Sequence, residues 1–365
     1  MTKLIYAASP DSADMFYGTG FAAPDPFVFL QHRGKKTIVL NDLEIDRGRR
    51  EAEVDEILSA SDLGRDFGNM SPAVIAAGLL LRRKIRRVEV PADFPLAFAR
   101  GLEKAGVTVL PVDGHFWPGR EFKTKRELED VRKAVRIAAA GILRAVEVLR
   151  AATIGRGGKL LWDGKTLTSE TVRAECDSAV LRAGGVPGGT IVSGGRQACD
   201  PHERGHGPLR AHELIILDVF PRDARTGFFG DLTRTVVRGR AGDAQRKLWD
   251  TVCAAQKLAM RSIKPDVKGA AVHKAVQQFF AARGYPTEKK RGRWTGFFHG
   301  TGHGLGLDLH EEPRIAATVF RPGQVFTVEP GLYYPGVGGA RHEDVVAVTR
   351  SGCRLLSRLA VPLEI

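Results

Sequence analysis

From residue 121 onward the chain runs through one order of elements twice, and that duplication limits its fold more than any other feature. Thr124 with Glu127 forms a capping box, and Leu128, Val131, Val135, Ala138, Ile142 and Leu149 then recur at helical spacing. A second helix is predicted over 168–183, ended by Gly184 and Gly185, and strands over 214–220 and 232–238 flank a turn at 223–230. Helices over 243–262 and 269–283 then repeat the helix pair, the later one carrying Val272, Val276 and Phe279 on one face. Strands over 324–328 and 344–349 repeat the strand pair. Two copies of helix, helix, strand, strand imply an α+β domain with an internal pseudo-twofold repeat, its copies alike in architecture rather than in sequence.

Residues 1–120 read as a separate α/β domain. Runs over 27–31 and 37–40 flank His32-Arg33-Gly34-Lys35 as a hairpin. Ser71-Pro72 opens a helix, with Ser71 as cap and Pro72 at the first helical position. A strand over 87–90, a helix from near Pro95 and a strand over 107–112 follow, and 117–120 reads as a linker. A chain of 365 residues exceeds the usual span of one core, which agrees with two domains.

Composition excludes several classes. No apolar run approaches a membrane span of about 20 residues, and 1–8 has no secretory pattern, so a cytoplasmic protein without membrane contact is expected. Cys176, Cys199, Cys253 and Cys353 are scattered without CxxC spacing, which fits neither a zinc knuckle nor a disulfide frame. The net charge of +13 is spread along the chain, with clusters at 47–50, 82–87 and 289–293 and no accompanying binding motif. No nucleic-acid partner is expected.

Chemistry concentrates in the second copy. The stretch HGTGHGLGLDLHEE, 299–312, sets His299, His303 and His310 among Gly300, Gly302, Gly304 and Gly306. Imidazoles bind metals and carry protons at neutral pH, and glycines let a backbone pass close to a neighbour. Four acids stand at matching places in the two strand pairs. Asp218 lies within LIILDVF and Asp231 opens DLTRTVV; Glu329 ends VFTVE and Glu343 opens EDVVAV. The first two are 13 residues apart and the second two 14. A lone carboxylate at a strand end is ordinarily a solvated turn residue. Four at repeat-related positions, two of them inside apolar strands, need cations to offset their burial. Two Asp, two Glu and one His suit a pair of divalent ions such as manganese, cobalt, iron or zinc.

The segments LDVF…GDLTRTVVRG, HGTGHGLGLDLHEEP and VFTVEPGLYYPGVGGARHEDVV, with the helix beginning KTKRELEDVRKA, resemble the M24 metallopeptidase family of prolidases (Xaa-Pro dipeptidases), aminopeptidase P and methionine aminopeptidase. The resemblance covers 121–365 and implies the pita-bread fold, while 1–120, with TGF…PDPF, resembles the creatinase-like domain of the proline-directed branch. It implies Asp218, Asp231, His303, Glu329 and Glu343 as metal ligands, with Asp231 and Glu343 bridging, Asp218 on one ion, and His303 with Glu329 on the other. His310 aligns with a histidine beside the scissile bond, His299 with one lining the site, and His202 with an upstream histidine that binds substrate, although His206 lies close by. Arg341 matches an arginine that supports the bridging carboxylate.

The expected reaction is hydrolysis of the bond before proline at the amino end of short peptides, through a metal-activated hydroxide with Glu329 as proton shuttle. Two divalent ions are expected, manganese or cobalt first and zinc or iron next, and a homodimer is implied by the relatives. An aminopeptidase P acting on longer Xaa-Pro-Yaa peptides is the nearest alternative. A non-peptidase or binding-only member is disfavoured because all five ligand positions are filled. Two features depart from the pattern. PRDARTGFF lengthens the turn between Asp218 and Asp231, and the basic aromatic segment 288–298 precedes His299, where Trp294, Phe297 and Phe298 are candidate pocket walls or simply part of a solvated loop.

Overall fold

A computed structural model describes residues 2–290 and 292–365; Arg291, within the basic cluster 289–293, lies outside them, as does Met1. The chain divides into two compact units, Met1–Arg120 and Glu121–Ile365. Among the described residues no helix is long and apolar enough to cross a membrane.

The first unit is a six-stranded mixed sheet with five helices. Strands β1 (Lys3–Ala7), β2 (Phe27–His32), β3 (Lys35–Leu40), β4 (Glu56–Ser59), β5 (Arg87–Val90) and β6 (Thr108–Pro111) lie in the order β4-β3-β2-β1-β5-β6. The expected hairpin is β2–β3, turned through Arg33 and Gly34 at φ 49° and 84°, a left-handed pair that matches the twist of the strands. Helices α1 (Ala13–Thr19), α2 (Ile45–Glu51), α3 (Ala60–Phe67), α4 (Pro72–Arg82) and α5 (Leu96–Lys104) complete it. Ser71 does precede α4 and Pro72 opens it, but the Ser71 side chain makes no capping hydrogen bond.

The second unit opens with α6 (Lys125–Ala151), whose capping box closes through Thr124 N to Glu127 Oε2 at 2.8 Å and Glu127 N to Thr124 Oγ1 at 3.3 Å. A small ribbon, β7 (Thr153–Ile154), β8 (Leu160–Trp162) and β9 (Lys165–Thr166), leads to α7 (Ser169–Arg182). Helices α8 (Asp243–Ser262) and α9 (Gly269–Ala282) form the second pair.

Each strand pair is part of a three-stranded sheet. Strands β11 (Ile191–Gly194), β12 (Ile215–Val219) and β14 (Leu232–Val236) make one, and β17 (Val325–Val328), β20 (Asp344–Val348) and β21 (Cys353–Leu355) the other. Strand β11 is short and ends at two glycines, which is why alternation alone does not reveal it. The lengthened turn after Asp218 closes on itself through an antiparallel bridge between Arg222 and Phe229; its strand β13 (Arg222–Asp223) pairs with β10 (Gly185–Val186), and Asp223 Oδ1 accepts from Arg225 N and Thr226 N. The extra residues are thus paired with the sheet's neighbour and leave the ladder between β12 and β14 in register. Two ribbons remain, β15 (Glu288–Lys290) with β16 (Arg293–Thr295), and β18 (Gly331–Tyr334) with β19 (Gly338–Arg341). They are joined where Gly296 and Tyr333 exchange backbone hydrogen bonds of 3.1 and 3.2 Å.

Candidate metal centre

Strand register brings the acids together. In the β12–β14 ladder Asp218 faces Thr233, and Asp231 stands two residues before Thr233, on the same face. Thr233 also bridges to Glu343, whose N donates to the Thr233 carbonyl oxygen at 3.1 Å. One threonine therefore joins the two sheets at the point where three carboxylates meet. Its Oγ1 lies 2.8 Å from Asp218 Oδ1 and 2.7 Å from Glu343 Oε2. A hydroxyl has one proton, so it donates to one of the two and accepts from the other only when that carboxyl is protonated.

The seam continues below the site. Thr235 Oγ1 donates to Arg341 O at 2.9 Å and accepts from Arg341 N at 3.0 Å. Arg234, fully buried, donates to Glu343 O at 2.6 Å and to Asp344 Oδ1 at 2.7 Å. Asp344 also accepts from Ser357 and Gln256, so this inner ion pair is satisfied on every side.

The histidine stretch is laced to β17 from the other direction. His303 N donates to Thr327 Oγ1 at 3.1 Å, Thr327 N to His303 O at 2.9 Å, and Glu329 N to Thr301 O at 2.9 Å. Gly302 is needed for this approach, since a Cβ there would lie 1.9 Å from the Thr327 carbonyl oxygen. His303 Nδ1 donates to Gly304 O at 3.0 Å, which fixes the neutral tautomer and leaves the Nε2 lone pair free. Nε2 lies 3.6 Å from Glu329 Oε1 and 3.7 Å from Asp231 Oδ2. Burial, then the neighbouring His310, pushes the His303 pKa down to about 3, so the ring is neutral at physiological pH.

Asp231, His303 and Glu343 each offer a ligand atom within 4.8 Å of the others, and all three are buried. Asp231 Oδ1 is buried without a hydrogen-bond partner. Burial raises the pKa of Asp231 and of Glu343 well above the ordinary carboxylate value, and the facing acids raise both further. Burial likewise lifts Glu329 to about 7. Clustered buried carboxylates with an orphaned oxygen and an aimed imidazole lone pair are a donor set that divalent cations would satisfy.

All nine candidate residues line one cavity of about 660 Å³: Asp218, Asp231, His303, Glu329, Glu343, His202, His299, His310 and Arg341. His206 does not; its backbone N and O are bonded to the Gln197 side chain at 2.9 and 3.0 Å. His202 and His310 are exposed to the cavity, and the His310 ring meets His303 edge-on at 4.3 Å.

Arg341 corrects one expectation. Its Nη2 donates to Asp218 Oδ2 at 2.6 Å and its Nε to Thr233 Oγ1 at 3.3 Å, and it makes no hydrogen bond to Glu343. Arg341 ends β19, whereas Glu343 lies beyond that strand and bridges to Thr233, so the two residues two apart are held by different partners. Arg341 Nη1 also donates to Tyr333 Oη at 3.0 Å, and Tyr333 Oη lies 2.9 Å from His299 Nε2. His299 Nδ1 donates to Gly300 O at 2.8 Å, so Nε2 accepts from the tyrosine. Burial holds His299 neutral, with a pKa down to about 3, and pushes Tyr333 up to about 12. Thr233, Thr327 and Tyr333 are absent from the sequence reading. Of the aromatic segment, Phe298 lines this cavity, whereas Phe297 is core, packed edge-on to Phe280 at 5.4 Å.

Residues 129–350 match the model of metallopeptidase family M24, and the chain belongs to that family. It is 30% identical over 66% of its length to the Xaa-Pro dipeptidase of Pyrococcus furiosus, where the match spans 64% of the relative, a little under two thirds. Its fold is that of the Pyrococcus furiosus prolidase (TM-score 0.79, 22% identity, covering 99% of this chain and 97% of the other). The X-Pro aminopeptidase of Thermotoga maritima shares it too (TM-score 0.84, 22% identity, covering 100% and 97%).

Proposed function

We propose that this chain is a metal-dependent Xaa-Pro dipeptidase that hydrolyses the bond before proline at the amino end of short peptides. The observation that carries the reading is the convergence of Asp231, His303 and Glu343 within 4.8 Å around an unpartnered Asp231 oxygen, in a chain similar to Xaa-Pro dipeptidases over most of its length. Asp218, Asp231, His303, Glu329 and Glu343 would hold two divalent ions. Such ions, when bound, supply a Lewis acid and lower the pKa of a bound water toward ~7.

The chain's own residues do the rest. Glu329, directly after β17 with a partly exposed side chain 3.6 Å from His303 Nε2, is suited to take a proton from the attacking water and return it to the departing proline nitrogen. His202 and His310, open to the cavity, donate hydrogen bonds to the carbonyl oxygen as its charge develops. Arg341 holds Asp218 and, through Tyr333, orients His299 in the cavity wall. The two helix-pair and sheet units of 121–365 are read as a pseudo-twofold repeat that delivers two acids each, and 1–120 as a creatinase-like domain. A cytoplasmic homodimer using manganese or cobalt belongs to the same reading.

Protein purified without chelator should carry close to two divalent ions per chain and release alanine from Ala-Pro. The Glu329→Gln variant should bind peptide while losing turnover. A metal-replete Glu329→Gln enzyme retaining most Ala-Pro activity would overturn the proton-transfer role, and metal-replete wild type inert on Xaa-Pro peptides would overturn the substrate class.

A further inference from the structure

The histidine stretch ends in a closed loop that is gripped by a buried ion pair outside the metal centre. Glu311 N donates to Gly304 O at 3.0 Å, and this antiparallel bridge closes residues 304–311 into a loop with His310 beside its seam. The Glu311 carboxylate folds back into the loop. Asp308 N donates to its Oε2 at 3.4 Å, and a Cβ on Gly306 would stand 2.3 Å from its Oε1, so glycine at 306 leaves the room it needs. Lys123 Nζ donates to that same Oε1, and the two side chains are only 3% and 7% exposed. A charged pair taken out of water repays its desolvation only when its geometry is kept.

Lys123 stands on a fixed base. Its N donates to Gly323 O at 2.8 Å, and Gln324 Nε2 donates to Glu121 Oε1 at 2.6 Å, which clips the segment before α6 to the entry of β17. Strand β17 leads from there to Glu329. The ion pair therefore ties the loop bearing His310 to the strand that presents Glu329. His303 has its own tether, since it exchanges hydrogen bonds with Thr327 on β17. His310 has none: its ring makes no hydrogen bond with another described residue and meets His303 edge-on at 4.3 Å. Its direction is inherited from the backbone beneath it.

We infer that Lys123 is a positioning residue for His310, acting through the buried pair with Glu311 to hold the loop 304–311 so that the His310 ring faces the cavity Glu329 also lines. This rests on the reading of His310 as a donor to the substrate carbonyl and adds the group that keeps the donor in place. Position matters here because a misplacement of about 1 Å can cost about 10²-fold in rate.

The test is a mutant cycle in kcat for Ala-Pro with the metal-loaded enzyme, with bound metal and melting temperature measured on each protein. His310→Ala should lower kcat by about 10²-fold, as loss of a donor to a developing oxyanion does. Lys123→Met/Glu311→Leu removes both charges and strands neither. It should keep the wild-type metal content, because His303 is held through Thr327, and lower kcat by about tenfold or more with KM little changed. Added to His310→Ala, the same two substitutions should cost nothing further. Glu311→Gln, which keeps the shape and removes the charge, is the milder variant if the double one does not fold, and the same ordering is expected of it. Wild-type kcat in either metal-replete variant, a loss of activity that tracks lost metal, or a further fall on the His310→Ala background overturns the positioning role and leaves the role of His310 standing. Wild-type kcat in His310→Ala removes that role, and the inference about Lys123 with it.

Discussion

Arg341 Nη2 donates to Asp218 Oδ2 across 2.6 Å with both side chains buried, although 123 residues separate them in the chain. The contact gives Asp218 a permanent cation from the protein, while Asp231 and Glu343 have none so close. Removing one partner of a buried pair strands the other and typically costs about 3–5 kcal/mol. Arg341→Met should therefore lower the metal-free melting temperature sharply and reduce kcat/KM, and Arg341→Lys should restore part of both. Differential scanning fluorimetry beside Ala-Pro hydrolysis checks this; an Arg341→Met protein as stable as wild type would contradict it.

Thr233 makes the second link. Its hydroxyl touches Asp218 and Glu343 and is buried, so Thr233→Val keeps the shape and removes a shared donor. The expected loss is about 1–3 kcal/mol of stability, the cost of leaving buried oxygens without their donor. Divalent-metal affinity should fall as well, because Glu343 is no longer oriented. Calorimetric titration with manganese measures the second effect, and an unchanged affinity would show that Glu343 is held by its backbone alone.

The acids of this site were legible in the chain for a physical reason: a carboxylate inside LIILDVF or at the end of VFTVE has no place in an apolar strand without a cation. The long helices were legible through capping and periodicity, and α8 spans the predicted 243–262. The partners of the acids were not legible. Thr233, Thr327, Tyr333 and the true partner of Arg341 depend on which strands meet across the seam, and spacing along one strand carries no information about a register between two sheets. Strand β1, five residues long, and β11, four residues of which the last is a glycine, are too short for alternation to distinguish them from loop.

Glu329 gives a pH dependence with a definite sign. Its folded pKa of about 7 lies above the ordinary 4.5, so the metal-free folded chain keeps a proton that the unfolded chain releases. Stability from this group is complete below pH 4.5 and is lost as pH rises through 7, a change of about 3 kcal/mol for such a shift. In chelator, Glu329→Gln should gain stability relative to wild type as pH rises from 4.5 to 8. Parallel urea melts at both ends measure it, and a constant difference between the two proteins would refute the shift. Asp231 and Glu343 act in the same direction, so added manganese should stabilise wild type more at pH 8 than at pH 5.

The glycines around His303 are not equivalent, and their difference separates packing from mere flexibility. A Cβ on Gly302 would stand 1.9 Å from the Thr327 carbonyl oxygen and 3.0 Å from Ile315, both in the buried seam that carries His303. A Cβ on Gly300 would meet nothing closer than 3.9 Å, and the residue is exposed. Neither glycine has a positive φ, so backbone strain does not enter. Gly302→Ala should force the segment carrying His303 away from β17, break the His303 N to Thr327 contact, and cost about 1–3 kcal/mol as overpacking does. Because His303 moves with it, bound metal should fall below two ions per chain and activity should fall with metal content. Gly300→Ala should leave stability and metal content at the wild-type level. Metal analysis and thermal melts of the two variants side by side provide the check, and equal behaviour would mean that His303 is positioned by something other than its close approach to Thr327.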